Sequence, residues 1–107
     1  MPTYVIRLSH TSDQCPTANA KVRERVQEMG PNIAKISERL GIKIVAGPLI
    51  LGAEHEGLAI LETDRVETVN DFLVETGLVQ WNSVRVSMAQ QLADALAEID
   101  RMPAALY

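Results

Sequence analysis

Ile42-Lys43-Ile44-Val45-Ala46-Gly47-Pro48-Leu49-Ile50-Leu51 is followed, after the turn residues Gly52 to Glu56, by Gly57-Leu58-Ala59-Ile60-Leu61-Glu62, so two apolar runs stand back to back in mid-chain. Runs of this length and composition, bounded by Gly and polar residues, read as strands. The short link between them permits only a hairpin. Gly47-Pro48 interrupts the first run and removes a ladder donor, which suits an edge strand or a bulge. The second run is more continuously apolar and belongs nearer the sheet centre.

A helix precedes this hairpin. Val22, Val26, Met29, Ile33, Ile36 and Leu40 recur at a 4-3-4-3-4 spacing, one apolar stripe that ends at Gly41, a good residue for a helix C-terminus. Gly30-Pro31 falls inside the stripe without shifting its phase, which predicts a kink or brief break at Met29 to Asn32 between two collinear pieces. Pro16 suits a first helical turn, after the polar turn Thr11 to Cys15. Before that turn, Tyr4-Val5-Ile6-Arg7-Leu8-Ser9 alternates as a strand.

The same pair of elements recurs downstream. Asp64 with Glu67 forms the pattern of a capping box, and Val66, Val69, Phe72 and Leu73 supply a buried stripe that stops near Gly77. Ser83-Val84-Arg85-Val86-Ser87 alternates strictly as a fourth strand. Ser87 with Gln90 then predicts a further helix, buried through Leu92, Leu96 and Ile99, and the tail from Arg101 to Tyr107 frays or docks.

The order β-α-β-β-α-β is the split βαβ, ferredoxin-like arrangement: an α+β fold with a four-stranded antiparallel sheet in the order 4-1-3-2 and, here, an extra C-terminal helix. At 107 residues the chain buries roughly 65% of its unfolded surface and forms one domain, 1–107. Helices cover one sheet face only. The other carries apolar residues such as Val5 and Val45, and a second copy of the sheet is the simplest cover, so we expect a homodimer.

The opening Met1-Pro2-Thr3-Tyr4-Val5, the run Glu56-Gly57-Leu58-Ala59-Ile60-Leu61-Glu62 and Asn82-Ser83-Val84-Arg85 resemble GYD-domain proteins of the dimeric α/β-barrel superfamily. Gly47-Pro48-Leu49 followed by the Gly57 strand resembles the YciI-like branch. The resemblance implies a homodimer with two sheets face to face. It implies little about activity, because Gly52-Ala53-Glu54-His55-Glu56 stands where the Gly-x-Tyr-Asp signature would be, and the first helix has no histidine to supply the YciI-like histidine-aspartate pair.

Composition removes several function classes. The formal charge is −4 and the ten Lys and Arg are dispersed, which argues against a nucleic-acid partner. No apolar run is long enough to span a membrane, so no membrane partner is expected. A single cysteine excludes an intramolecular disulfide and points to a reducing, cytoplasmic setting. No Gly-rich phosphate loop occurs, so no nucleotide cofactor is expected.

In a 4-1-3-2 sheet the end of strand one lies beside the start of strand three, where His10 and His55 fall, and Cys15 is in the loop leaving strand one. Two imidazoles and a thiolate are donors that copper or zinc prefers. Asp13, Glu54 or Glu56 are further oxygen donors within reach. Set against this metal site is a structural role for all three, since a lone cysteine packs well as a small apolar filler. A second set, Arg7 and Ser9 with Ser83, Arg85 and Ser87, alternates to the face opposite Ile6 and Leu8, where two guanidinium groups need anions from Glu56, Glu62 or a bound carboxylate or phosphate. Trp81 opens strand four at the His10 end and is placed to wall a pocket. The expectation is a metal-binding protein, an enzyme if the metal keeps an open position. The alternative is a cofactor-free isomerase-like or monooxygenase-like barrel, or a binding module, in which Arg7, Arg85 and Trp81 hold a small anionic or aromatic molecule beside a histidine base.

Overall fold

A computed structural model describes residues 1–99. Its strands are β1 (Thr3–Ser9), β2 (Lys43–Leu51), β3 (Glu56–Glu62) and β4 (Ser83–Ala89), and its α-helices are α1 (Ala20–Met29), α2 (Ile33–Leu40), α3 (Val66–Thr76) and α4 (Leu92–Glu98). The strands form one antiparallel sheet in the order β2-β3-β1-β4, which counted from the β4 edge is 4-1-3-2.

Period-two alternation sorts the central strands into two faces. Tyr4, Ile6 and Leu8 of β1 are buried with Ala59 and Leu61 of β3 under Val69, Phe72 and Leu73 of α3. Phe72, Ile6, Leu61 and Val69 are sealed from solvent, and each contributes about 1.5–3 kcal/mol by leaving water. The stripe of the first helical region joins this core: Val22 is buried, and Met29, Ile33, Ile36 and Leu40 pack against the cluster. The Gly30-Pro31 break is a short 3-10 segment, Gly30–Asn32, with Gly30 still in the right-handed helical region, so the path continues and the stripe keeps its phase.

β2 lies at the edge and slips register between Ile44 and Ala46 and again between Ala46 and Leu49, around Gly47-Pro48. Gly47 is required there. Its φ is +85°, and a Cβ would stand 2.5 Å from the Leu58 carbonyl oxygen.

Four sequence expectations are corrected. The first helix does not begin at Pro16 but at Ala20, because Asn19 caps it, its side chain accepting from the Lys21 and Val22 N–H groups. Asp64 does not cap α3: Arg65 occupies that position, and Glu67 pairs with the Arg65 guanidinium at 3.3 Å. Val66, expected in the α3 stripe, is exposed. Finally, β4 runs through Ser87 to Ala89, so the proposed Ser87 cap is a strand residue. Helix α4 starts only after Gln91, with Leu92, Leu96 and Ile99 at 71%, 56% and 56% exposure instead of buried. The tail expected to fray or dock, 101–107, lies outside the described residues.

Candidate metal centre

His10 and His55 meet because the β1–β3 ladder carries on one step past its last strand pair, Ser9 with Glu56: the His10 N–H donates to the His55 carbonyl at 3.0 Å. His10 continues the Ile6, Leu8 alternation and so faces the helix side. His55 ends the tight turn Gly52–Glu54 in the left-handed region, φ +53°, a conformation that histidine tolerates better than most residues. Their rings are 5.5 Å apart, centroid to centroid, and nearly perpendicular at 72°.

Cys15 is brought to the pair by the loop between β1 and α1. Its carbonyl accepts from the N–H groups of Ala18 and Asn19 at 2.9 and 2.8 Å, and the Asn19 side chain donates to the Asp13 carbonyl at 3.1 Å, so the residue that caps α1 also ties down the loop. The result is one cluster of three half-buried side chains whose donor atoms lie within 4.8 Å of one another. Among the described residues the cluster includes no carboxylate. Asp13, one of the expected oxygen donors, is exposed and accepts from the Thr11 hydroxyl, which holds its carboxyl below the usual carboxylate range.

The thiol is tuned toward the ligand form. Cys15 lies well below the ordinary thiol value, at about 6, chiefly through hydrogen bonding from the Thr17 side chain, whose Oγ1 is 3.0 Å from Sγ, and then from the Thr17 backbone. Partial burial pushes the other way and a contact with His55 adds a smaller lowering, so the thiolate is the form present at neutral pH.

His10 is oriented by a residue that sequence reasoning did not single out for the site. Asn82 donates from Nδ2 to the Leu78 carbonyl at 3.0 Å, which turns its Oδ1 toward His10 Nδ1 at 3.1 Å. An amide oxygen only accepts, so the hydrogen of neutral His10 sits on Nδ1 and the lone pair on Nε2. That Nε2 is buried and has no hydrogen-bond partner among the described residues. A buried acceptor left bare costs about 1–3 kcal/mol, and a metal bond would satisfy it. Outer-shell anchoring of one imidazole nitrogen is how proteins present the other to a metal. Neither Asn82 nor Thr17 was visible by spacing: Asn82 is 72 residues from His10, and no motif links them.

Beside the cluster is a cavity of about 610 Å³. Leu8, Val26, Met29, Leu78 and Trp81 supply much of its wall, and His10, Cys15 and His55 all border it. Trp81 therefore stands where the sequence placed it. The two arginines do not join the site. Arg7 and Arg85 face each other as register partners on β1 and β4, both exposed and on the sheet face opposite Leu8, with no ion pair among the described residues. Glu62, one of their expected anions, lies 3.8 Å from Lys43.

No helix of the described residues is long and apolar enough to cross a membrane. Set beside known proteins, the chain matches no family model and no curated sequence.

Proposed function

We propose that this chain is a small cytoplasmic, homodimeric metal-binding protein that holds copper or zinc through His10, Cys15 and His55. One observation carries the reading: three donors of the types these metals prefer lie within 4.8 Å of one another, though they come from three separate segments. The bare Nε2 of His10 supports it, since an imidazole fixed by Asn82 with nothing to accept from is incomplete without an electrophile. A free thiolate ligand also agrees with a reducing compartment.

Three protein ligands leave one position of a four-coordinate ion open, the arrangement of catalytic sites as distinct from closed structural ones. Bound there, the metal would supply a Lewis acid or, if copper, a redox centre. The residues divide the remaining work: Asn82 orients His10, and Thr17 holds Cys15 as thiolate.

Homodimerisation is part of the same proposal. Val5, Leu58 and Ile60 share the sheet face opposite the helix-covered one, which no helix among the described residues covers, as expected for a dimeric α/β barrel of the GYD-like or YciI-like kind.

Elemental analysis of tag-free protein, reloaded with copper or zinc and desalted, tests the site. The expected result is close to one ion per chain, lost in His10→Ala and His55→Ala. Content far below one per chain in the folded protein would sink the reading and leave the cofactor-free alternative, in which the bare His10 Nε2 acts as a base toward a molecule in the cavity.

A further inference from the structure

The geometry points to a second half of this site: the cavity beside the triad is a binding chamber for a small, neutral, largely aromatic molecule with one lone-pair donor directed at the open metal position. The proposal rests on the metal reading for the donor and on the chamber alone for the rest.

Size comes first. A chamber of about 610 Å³ falls within the roughly 300–1,000 Å³ of small-molecule sites and is far larger than a water ligand requires. Its chemistry is selective. Among the described residues the wall is mainly aliphatic, with Trp81 as its one aromatic side chain apart from the histidines, and the only carboxylate bordering it is that of Glu56. Among the described residues no lysine or arginine borders it. Away from the metal position, a charged group against this apolar wall would lose hydration with no cationic side chain among the described residues to compensate it, so the body of the ligand is neutral. An apolar ring gains burial against Val26, Met29 and Leu78 and an aromatic contact with Trp81.

Gly57 helps to hold the space open. It lies opposite Leu8 across the β1–β3 ladder and borders the chamber, and a Cβ there would come within 3.3 Å of Leu8 Cδ1 and of the Leu49 carbonyl oxygen. Leu49 and Ile50 complete the mouth from edge strand β2, with Ile50 83% exposed. That exposed apolar rim is where an apolar molecule would first touch the protein.

The test uses the Co(II)-loaded full chain and three probes sharing one donor: imidazole, 4-phenylimidazole and 4-(imidazol-4-yl)benzoate. Binding is read from the cobalt visible spectrum and, independently, from fluorescence of Trp81, the chain's single tryptophan. We expect 4-phenylimidazole to bind about ten-fold or more tighter than imidazole, as burial of a phenyl ring implies, and the benzoate to lose that advantage. Val26→Phe, which fills the chamber, should remove the phenyl preference while leaving the thiolate-to-cobalt band intact, showing that the fold and metal site survive. Equal affinity for imidazole and 4-phenylimidazole in cobalt protein overturns the chamber and spares the metal site. Absence of the thiolate-to-cobalt band overturns the metal reading. In that case quenching of Trp81 by 4-phenylimidazole in metal-free protein, lost in Val26→Phe, upholds the chamber, and no quenching overturns it too.

Discussion

Cys15 turns local structure into reactivity. With its thiol held at about 6 chiefly by Thr17, metal-free protein should be alkylated by iodoacetamide with a half-maximal rate near pH 6, not near the free-thiol value of about 8.5. Thr17→Val should move that midpoint upward, and bound copper or zinc should protect the sulfur. A midpoint unchanged from free cysteine would remove Thr17 as its tuning partner. The same shift fixes the sign of a stability effect. Because the folded-state value is depressed, folded protein binds fewer protons than unfolded protein between about 6 and 8.5, so this contribution is present above that window and is lost as pH falls through about 6. His10 gives a second prediction. Asn82→Ala removes the acceptor that fixes its tautomer, and metal affinity should drop by about 10–100-fold in competition titrations with a chromophoric chelator. An affinity within two-fold of the parent would mean that Asn82 does not orient the ligand.

At the scale of elements, the α1 N-terminus and the Cys15 loop are one structure joined by Asn19. Asn19→Ala should cost about 1 kcal/mol in urea or thermal unfolding and raise the alkylation rate of Cys15 by loosening its loop. Loss of stability with unchanged thiol reactivity would separate the two. Much of this level was legible in the sequence. The alternation of Tyr4 to Ser9, the in-phase stripe across Gly30-Pro31 and the Gly-Pro irregularity in β2 are local signals with local causes. The misses arise where two local solutions compete. Asp64 and Arg65 both precede α3, and the capping pattern alone does not show that Glu67 turns to Arg65. For α4, Leu92, Leu96 and Ile99 make a genuine stripe, but periodicity reports only that a face is apolar, not whether this chain covers it. Likewise, the meeting of His10 with His55 followed from sheet order, whereas Asn82 did not, because a hydrogen-bond partner from the loop before β4 leaves no periodic trace.

Over the whole molecule, apolar surface is left over. The radius of gyration is 15.9 Å against about 13 Å for a compact domain of about 100 residues, and α4 buries none of its residues. Together with Val5, Leu58 and Ile60 on the open sheet face, this surface is what the proposed second copy would cover. Light scattering at micromolar concentration should give about 24 kDa, twice the chain mass of 11.8 kDa; a value near 12 kDa would contradict the dimer and leave the open face unexplained. The donor set itself is read by X-ray absorption at the metal edge of zinc-loaded protein. The expected shell is one sulfur at about 2.3 Å and two imidazole nitrogens at about 2.0–2.1 Å, with the sulfur lost in Cys15→Ser. A shell of nitrogen and oxygen only in the parent protein would contradict it.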